Sequence, residues 1–308
     1  MIKIIWIFVK RSLVSPDLWG KLLGRLIYLF DMPNSRVGRN NLKFAFPDWT
    51  PKKIEMNLKR VYQHFGISVL ELLQTALMSR KEVIEQSRVT GENYLYQALK
   101  KGKGVILVSA HIGNWEIGLH FLACRFARPI ILVTREFRPK LLNNLYAYLR
   151  TRFGNRIIDS KGTFNKMVEA LRQGDILALM ADVPRKKYSV GVNFFGHLTR
   201  SAYVVALLAI RCNSPVIPTF ALRNAEGFIY LELGAPVDIR NTGNLRTDLQ
   251  VNTQRITDIV EEALRSHPDQ YLWMQKRWKD YYPWLYPSYR ARRKRSSMRN
   301  FEQSSRLN

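Results

Sequence analysis

From about residue 87 onward, short apolar runs alternate with stretches in which apolar residues recur at helical spacing. The runs at 105–109, 129–134, 156–158 and 176–181 read as strands. The stretches at about 114–126, 139–153 and 164–172 read as helices. A fifth strand is expected over 190–195, then a helix over 201–211. Two more strands follow at 216–222 and 228–233, and a long helix covers about 246–265. Strands that alternate with helices build a layered fold, because a crossover helix lets the next strand lie parallel to the last. The predicted fold is therefore α/β, with a largely parallel central sheet flanked by helices over residues 87–289.

The first 86 residues carry a helical pattern instead. Thr50-Pro51 reads as an N-cap followed by proline at the first helical position. Ile54, Leu58, Val61, Phe65 and Leu72 then mark apolar positions of a helix running to about residue 78. Farther upstream, Leu18, Leu22, Leu26 and Leu29 share one helical face, with Leu23, Ile27 and Phe30 beside it. Gly20 and Gly24 stand at a small-x-x-x-small spacing that lets another backbone approach.

A membrane-spanning helix needs roughly 20 consecutive apolar residues. The early run at 4–9 is stopped by Lys10 and Arg11, and 18–30 is interrupted by Lys21 and Arg25, so neither spans by that criterion. There is no small-residue cleavage pattern of a secretory signal. Trp6 and Trp19 suit a boundary between water and lipid. The expectation for 1–86 is a helical region with a segment lying in the membrane surface. The competing reading of 18–30 is an ordinary amphipathic helix packed on the core. The last stretch, 290–308, has seven basic residues, four serines and one acid, and reads as a basic flexible tail.

Charge changes the picture most. The chain has 49 Lys plus Arg against 24 Asp plus Glu, a formal charge of +25. That implies an anionic partner: a nucleic acid, an acidic membrane surface or a phosphorylated substrate. The basic residues lie throughout the chain, with no helix-turn-helix, zinc-finger or RNA-recognition signature, so no nucleic-acid partner is expected. The 46% apolar content supports a core and excludes wholesale disorder. Two cysteines, Cys124 and Cys212, exclude a disulfide scaffold and a cysteine-based zinc site.

Of the five histidines, His64 and His120 sit in helical, apolar surroundings and read as structural. His111 follows the predicted strand 105–109 directly, in Ser109-Ala110-His111-Ile112-Gly113-Asn114-Trp115-Glu116. Open α/β sheets bind ligands beyond the carboxyl ends of their strands. Glu116 lies five residues on, about 140° away on a regular helix, so the two meet only if a loop enters the helix between them. Gly113 and Asn114 suit such a loop. A carboxylate against an imidazole orients it and raises its basicity. No Ser or Cys nucleophile with its own motif accompanies the pair, which points to a histidine that deprotonates a substrate hydroxyl directly. Arg135 and Asp182 follow two other predicted strands and complete a polar rim with His111, provided that the strands are neighbours.

His111-Ile112-Gly113-Asn114-Trp115-Glu116 resembles the H-x-x-x-x-D/E signature of the bacterial lipid A biosynthesis lauroyl/myristoyl acyltransferase family, part of the lysophospholipid acyltransferase superfamily. Arg39-Asn40-Asn41-Leu42 with Phe46-Pro47 resembles that family's N-terminal region. Val192-Asn193-Phe194-Phe195-Gly196 and Pro215-Val216-Ile217-Pro218 resemble its later strands. Pro268-Asp269-Gln270-Tyr271-Leu272-Trp273 with Arg277-Trp278-Lys279 resembles its C-terminal signature. The similarity covers roughly residues 18–280.

The resemblance implies fatty acyl transfer from acyl carrier protein or coenzyme A to a glycolipid hydroxyl, with no metal or other cofactor. It implies His111 as general base and Glu116 as its partner, with Arg135, Asp182 and Asn114 toward the substrate. It further implies a bacterial inner membrane location with the site facing the cytoplasm. Relatives carry a longer apolar N-terminal anchor than the 4–9 run here. Arg185-Lys186-Lys187 lies where relatives differ, so a glycerophospholipid or an inositol mannoside lipid is the alternative acceptor. A non-catalytic relative is disfavoured by the intact His111/Glu116 pair.

Overall fold

Among the described residues nine strands appear in chain order: β1 (Arg88–Thr90), β2 (Val105–Ser109), β3 (Ile130–Thr134), β4 (Arg156–Asp159), β5 (Ile176–Met180), β6 (Ser189–Phe194), β7 (His197–Ala202), β8 (Val216–Arg223) and β9 (Ile229–Leu233). They belong to a computed structural model that describes residues 15–134, 138–159 and 163–287. The 4–9 run, Trp6, Arg135 and the 290–308 tail lie outside the described residues. Seven strands form one sheet in the order β1-β9-β8-β2-β5-β3-β4, parallel at every pairing except β8 with β9. Ten α-helices accompany it among the described residues.

The central strands are near-continuous apolar runs because both of their faces are covered. Val105 and Leu107 of β2 face a cluster with Leu95, Leu119 and Leu122 of helices Glu92–Lys100 and Trp115–Arg125. Ile106 and Val108 face the opposite cluster, with Leu171, Leu208 and Ile256 of helices Phe164–Arg172, Val204–Cys212 and Leu245–Ser266. This two-residue alternation is the strand period, with helices on either side.

The expected fifth strand does not join the central sheet. Residues 189–194 pair instead with β7 in an antiparallel hairpin, from Ser189↔Ala202 to Phe194↔His197. Phe195 and Gly196 turn the chain with φ of 54° and 74°, the doubly positive geometry of a tight hairpin turn. Ser201 and Ala202 complete β7, so the helix expected from 201 starts at Val204.

The N-terminal region is helical, over Pro16–Phe30, Met32–Ala45 and Pro51–Gln74. Thr50 caps the last of these by accepting from the Lys53 N–H, and Pro51 occupies its first turn. Helix Pro16–Phe30 packs backbone to backbone on helix Pro51–Gln74. A Cβ on Gly20 would lie 2.4 Å from Ile67 Cα, and one on Gly24 2.2 Å from the Tyr62 carbonyl oxygen. The glycine face is therefore the packed one. The leucine face points outward, with Leu18 65% and Leu29 62% exposed and Leu22 and Leu26 also exposed. No helix among the described residues is long and apolar enough to cross a membrane. Leu42, Ile54, Leu58 and Tyr62 of these helices share a core with Ala110, Ile112, Tyr271, Trp273 and Trp278, beneath the loop that carries His111.

Candidate active site

Sheet register brings the first two site residues together. In the β2–β5 pairing, Ser109 lies opposite Met180, and the Ala181 N–H donates to the Ser109 carbonyl at 2.8 Å. Two residues beyond that pair on each strand stand His111 and Asp182. His111 Nδ1 lies 3.0 Å from both carboxylate oxygens of Asp182. The Asp182 side chain is wholly buried, whereas the His111 ring is 25% exposed.

The loop that carries His111 is pinned by its backbone. The Leu272 N–H donates to the His111 carbonyl at 3.0 Å, Gly113 N–H to the Gln270 carbonyl at 3.0 Å and Asn114 N–H to the Ala221 carbonyl at 2.8 Å. Gly113 has φ +61°, and a Cβ there would sit 1.9 Å from the Ala221 oxygen. Both facts demand glycine. Asn114 then starts helix Trp115–Arg125, its Oδ1 accepting from the Ile117 N–H at 3.2 Å. Its amide donates to Glu71 Oε2 at 2.7 Å, and the residue is buried. Asn114, expected toward the substrate, thus gives its carbonyl oxygen to a helix cap and its amide to Glu71. Glu71 is in turn held by Arg223 at 2.6 Å.

Glu116 also differs from expectation. It is not hydrogen-bonded to His111. Arg150 donates to its carboxylate through Nε at 2.8 Å and Nη2 at 2.5 Å, Tyr146 through its hydroxyl at 2.6 Å and Trp115 through Nε1 at 2.8 Å. Glu116 lies in the first turn of its helix, and its side chain meets helix Lys140–Thr151, which supplies Tyr146 and Arg150. The carboxylate on the imidazole is Asp182, which is buried behind His111. Arg135 follows β3, the strand beside β5, and lies outside the described residues.

The electrostatics follow from burial and pairing. Burial alone would lower the His111 pKa. The charge and hydrogen bond of Asp182, with a smaller contribution from Glu116, more than offset it and hold the pKa above the ordinary imidazole value. Burial would raise Asp182, and the charge and hydrogen bond of His111 hold it below the usual carboxylate range. Burial would likewise raise Glu116, and the Arg150 charge with its hydrogen bonds keeps it low. When His111 is neutral, its Nδ1–H is given to Asp182. That leaves the Nε2 lone pair as a base, and Nε2 has no hydrogen bond among the described residues.

Sequence reasoning missed three contributors. Gln275 donates to Asp182 Oδ2 at 3.1 Å and so holds the carboxylate's second oxygen. Tyr146 and Arg150 stand four residues apart on one helix, a spacing that the sequence displays. His120 is buried against Phe153 and pushed down to about 4 by burial. It was expected to be a satisfied core histidine, yet its ring nitrogens have no hydrogen-bond partner among the described residues. No group of three His, Cys, Asp or Glu among those residues is placed to hold a metal ion.

The family model for bacterial lipid A biosynthesis acyltransferase matches residues 2–280. The chain belongs to that family. Its relatives include a lipid A biosynthesis acyltransferase of Haemophilus influenzae, 24% identical over 288 residues, covering 85% of this chain and 88% of the relative. A lipid A biosynthesis lauroyltransferase of Escherichia coli is 22% identical over 285 residues, covering 90% of each. A phosphatidylinositol mannoside acyltransferase of Mycolicibacterium smegmatis is 25% identical over 215 residues, covering 68% of this chain and 67% of the relative. For this acyltransferase family member, every element around His111 lies within the matched span, from Glu71 to Gln275.

Proposed function

We propose that this acyltransferase is membrane-associated and moves a fatty acyl chain from an acyl thioester, on acyl carrier protein or coenzyme A, to a hydroxyl of a glycolipid such as a lipid A precursor. The observation that carries the mechanism is the His111–Asp182 pair, with Nδ1 engaged and Nε2 open. In this reading the acceptor hydroxyl gives its proton to Nε2 as its oxygen attacks the thioester carbonyl. The tetrahedral intermediate then expels the thiolate, which takes the proton back from the imidazolium. Asp182 fixes the ring's tautomer and stabilises the imidazolium, as the buried carboxylate does in a serine triad. Glu116 acts on the ring through its charge. Arg135, placed by chain order after β3, is assigned to the oxyanion or to a phosphate of the acceptor, for which its planar donor fork is suited.

Membrane association is supported by the outward leucine face of helix Pro16–Phe30. Lys21 and Arg25 on that helix can reach lipid phosphates, and the +25 charge favours the anionic cytoplasmic leaflet of the inner membrane. An inositol mannoside lipid is the second candidate acceptor, because a relative is named for it. Mass spectrometry of lipids from cells with and without the protein decides between the two. A lipid A species lacking one acyl chain in the deletion supports the first reading, and an under-acylated inositol mannoside the second. An unchanged lipid profile, together with no transfer by the purified protein, overturns both.

A further inference from the structure

Helix Lys140–Thr151 has two unlike faces. Inward, Tyr146 and Arg150 hold Glu116, and Leu149 is buried. Outward, Leu141, Leu142, Leu145 and Tyr148 form a stripe at helical spacing, and all four are exposed, Leu141 by 79%. The helix contains no acidic residue and begins at Lys140, with Arg138 exposed just before it. Four large exposed apolar side chains beside basic groups are unusual on a surface that meets only water.

Two observations tie this face to the one on helix Pro16–Phe30. Both helices are fastened to helix Pro51–Gln74 and its continuation. Helix Pro16–Phe30 is attached through the glycine contacts. Helix Lys140–Thr151 is attached through Arg152, which donates to the Thr75 and Met78 carbonyls at 2.7 and 2.9 Å. Helix Pro51–Gln74 also touches the site loop, where Ser68 Oγ donates to the Gly113 carbonyl at 3.5 Å. One scaffold helix thus carries two outward apolar faces and one side of the loop that holds His111.

We propose that the outer face of helix Lys140–Thr151 is a second bilayer-contact surface, seated in the interface of an anionic membrane beside the active site. The inference rests on the acyltransferase reading for its purpose, because an embedded acceptor must reach His111 from the lipid. An apolar stripe on a helix that has no acidic residue and is led by Arg138 and Lys140 matches the interface of anionic lipid, where leucines enter the acyl boundary and Lys140 meets phosphate. The face commits to lipid over the donor protein because four large apolar side chains outnumber its cations.

The test uses the full chain with Leu141→Ser and Leu145→Ser combined, and separately Lys140→Glu. Partitioning is measured onto vesicles of one part phosphatidylglycerol to three parts phosphatidylcholine, and onto pure phosphatidylcholine. These side chains point outward, so thermal unfolding should match the parent. Each leucine lost from the interface should weaken partitioning by about tenfold. Lys140→Glu should weaken binding to the anionic vesicles more than to the neutral ones. Turnover of a lipid A precursor in vesicles should fall for the double variant, with turnover in detergent micelles within about twofold of the parent.

Unchanged partitioning of the double variant overturns the proposal. If a raised KM for the donor accompanies it, the face belongs to the donor protein. If loss of a dimer accompanies it, the face belongs to a second copy. Lost partitioning with undiminished turnover in vesicles overturns the placement beside the site. Absence of transfer by the parent protein in any format sinks the proposed function instead, and leaves the partitioning result to judge this face by itself.

Discussion

Asp182→Asn keeps the size of the residue and removes its charge. Asp182 is buried, its oxygens lie 3.0 Å from His111 Nδ1, and Gln275 holds one of them. Two unit charges about 4 Å apart at an effective dielectric of ~20 interact by ~4 kcal/mol. That attraction exists only when His111 is charged, which in the proposed mechanism is the state formed as it takes the acceptor's proton. The loss therefore falls on the transition state, and at ~1.4 kcal/mol per tenfold it corresponds to a fall in kcat of about 10³. The asparagine amide can also donate to Nδ1 and favour the wrong tautomer, which acts in the same direction.

The pH profile should move as well. Under the proposed mechanism the parent's rate should rise with pH through the raised His111 pKa, because the base must be neutral. Without the Asp182 charge, burial dominates and the inflection shifts to lower pH. The assay is single-turnover acyl transfer from an acyl thioester across a pH series, alongside thermal unfolding. A folded Asp182→Asn protein with kcat within tenfold of the parent and an unmoved inflection would refute the reasoning.

Other perturbations give distinct outcomes. Gly113→Ala places a Cβ 1.9 Å from the Ala221 oxygen at φ +61°, so it should cost several kcal/mol and show as a large fall in Tm or as insoluble protein. Arg150→Met leaves Glu116 buried with its charge unpaired, which should destabilise the fold by about 3–5 kcal/mol in denaturant unfolding. In the parent, Glu116 has a folded pKa below its unfolded value. Its contribution is therefore present above the ordinary carboxylate pKa and fades as pH falls through the folded value; Arg150→Met should remove that slope from a plot of stability against pH. Deleting residues 1–31 should leave vesicle binding more sensitive to salt, as read by flotation across a salt series, since the outward leucines of helix Pro16–Phe30 do not depend on ionic strength.

Local pattern displayed much of the fold. Val105–Ser109 and Ile176–Met180 are apolar runs, and open α/β sheets bind ligands beyond such strand ends, so His111 and Asp182 are legible as candidates without any pairing. Their adjacency did not, because it depends on β2 and β5 being neighbours across 71 residues of chain. Glu116 was assigned to His111 through nearness in sequence, yet the helix that begins at Trp115 carries its side chain to Arg150. Gln275 lies 164 residues from His111 and gives no local signal. The hairpin turn at Phe195-Gly196 gives no local signal because phenylalanine rarely accepts a positive φ. In residues 18–30 the glycines pack against helix Pro51–Gln74 and the leucines face outward.

The central claim is that His111, held by Asp182, is the base that activates the acceptor hydroxyl. Its most direct test is single-turnover transfer from a radiolabelled acyl thioester to a lipid A precursor by a His111→Ala protein whose unfolding transition matches the parent's. General bases contribute about 10²–10⁴-fold, so the rate should fall by at least a hundredfold with acceptor binding retained. A folded His111→Ala protein that transfers the acyl chain at a near-parental rate would contradict the account.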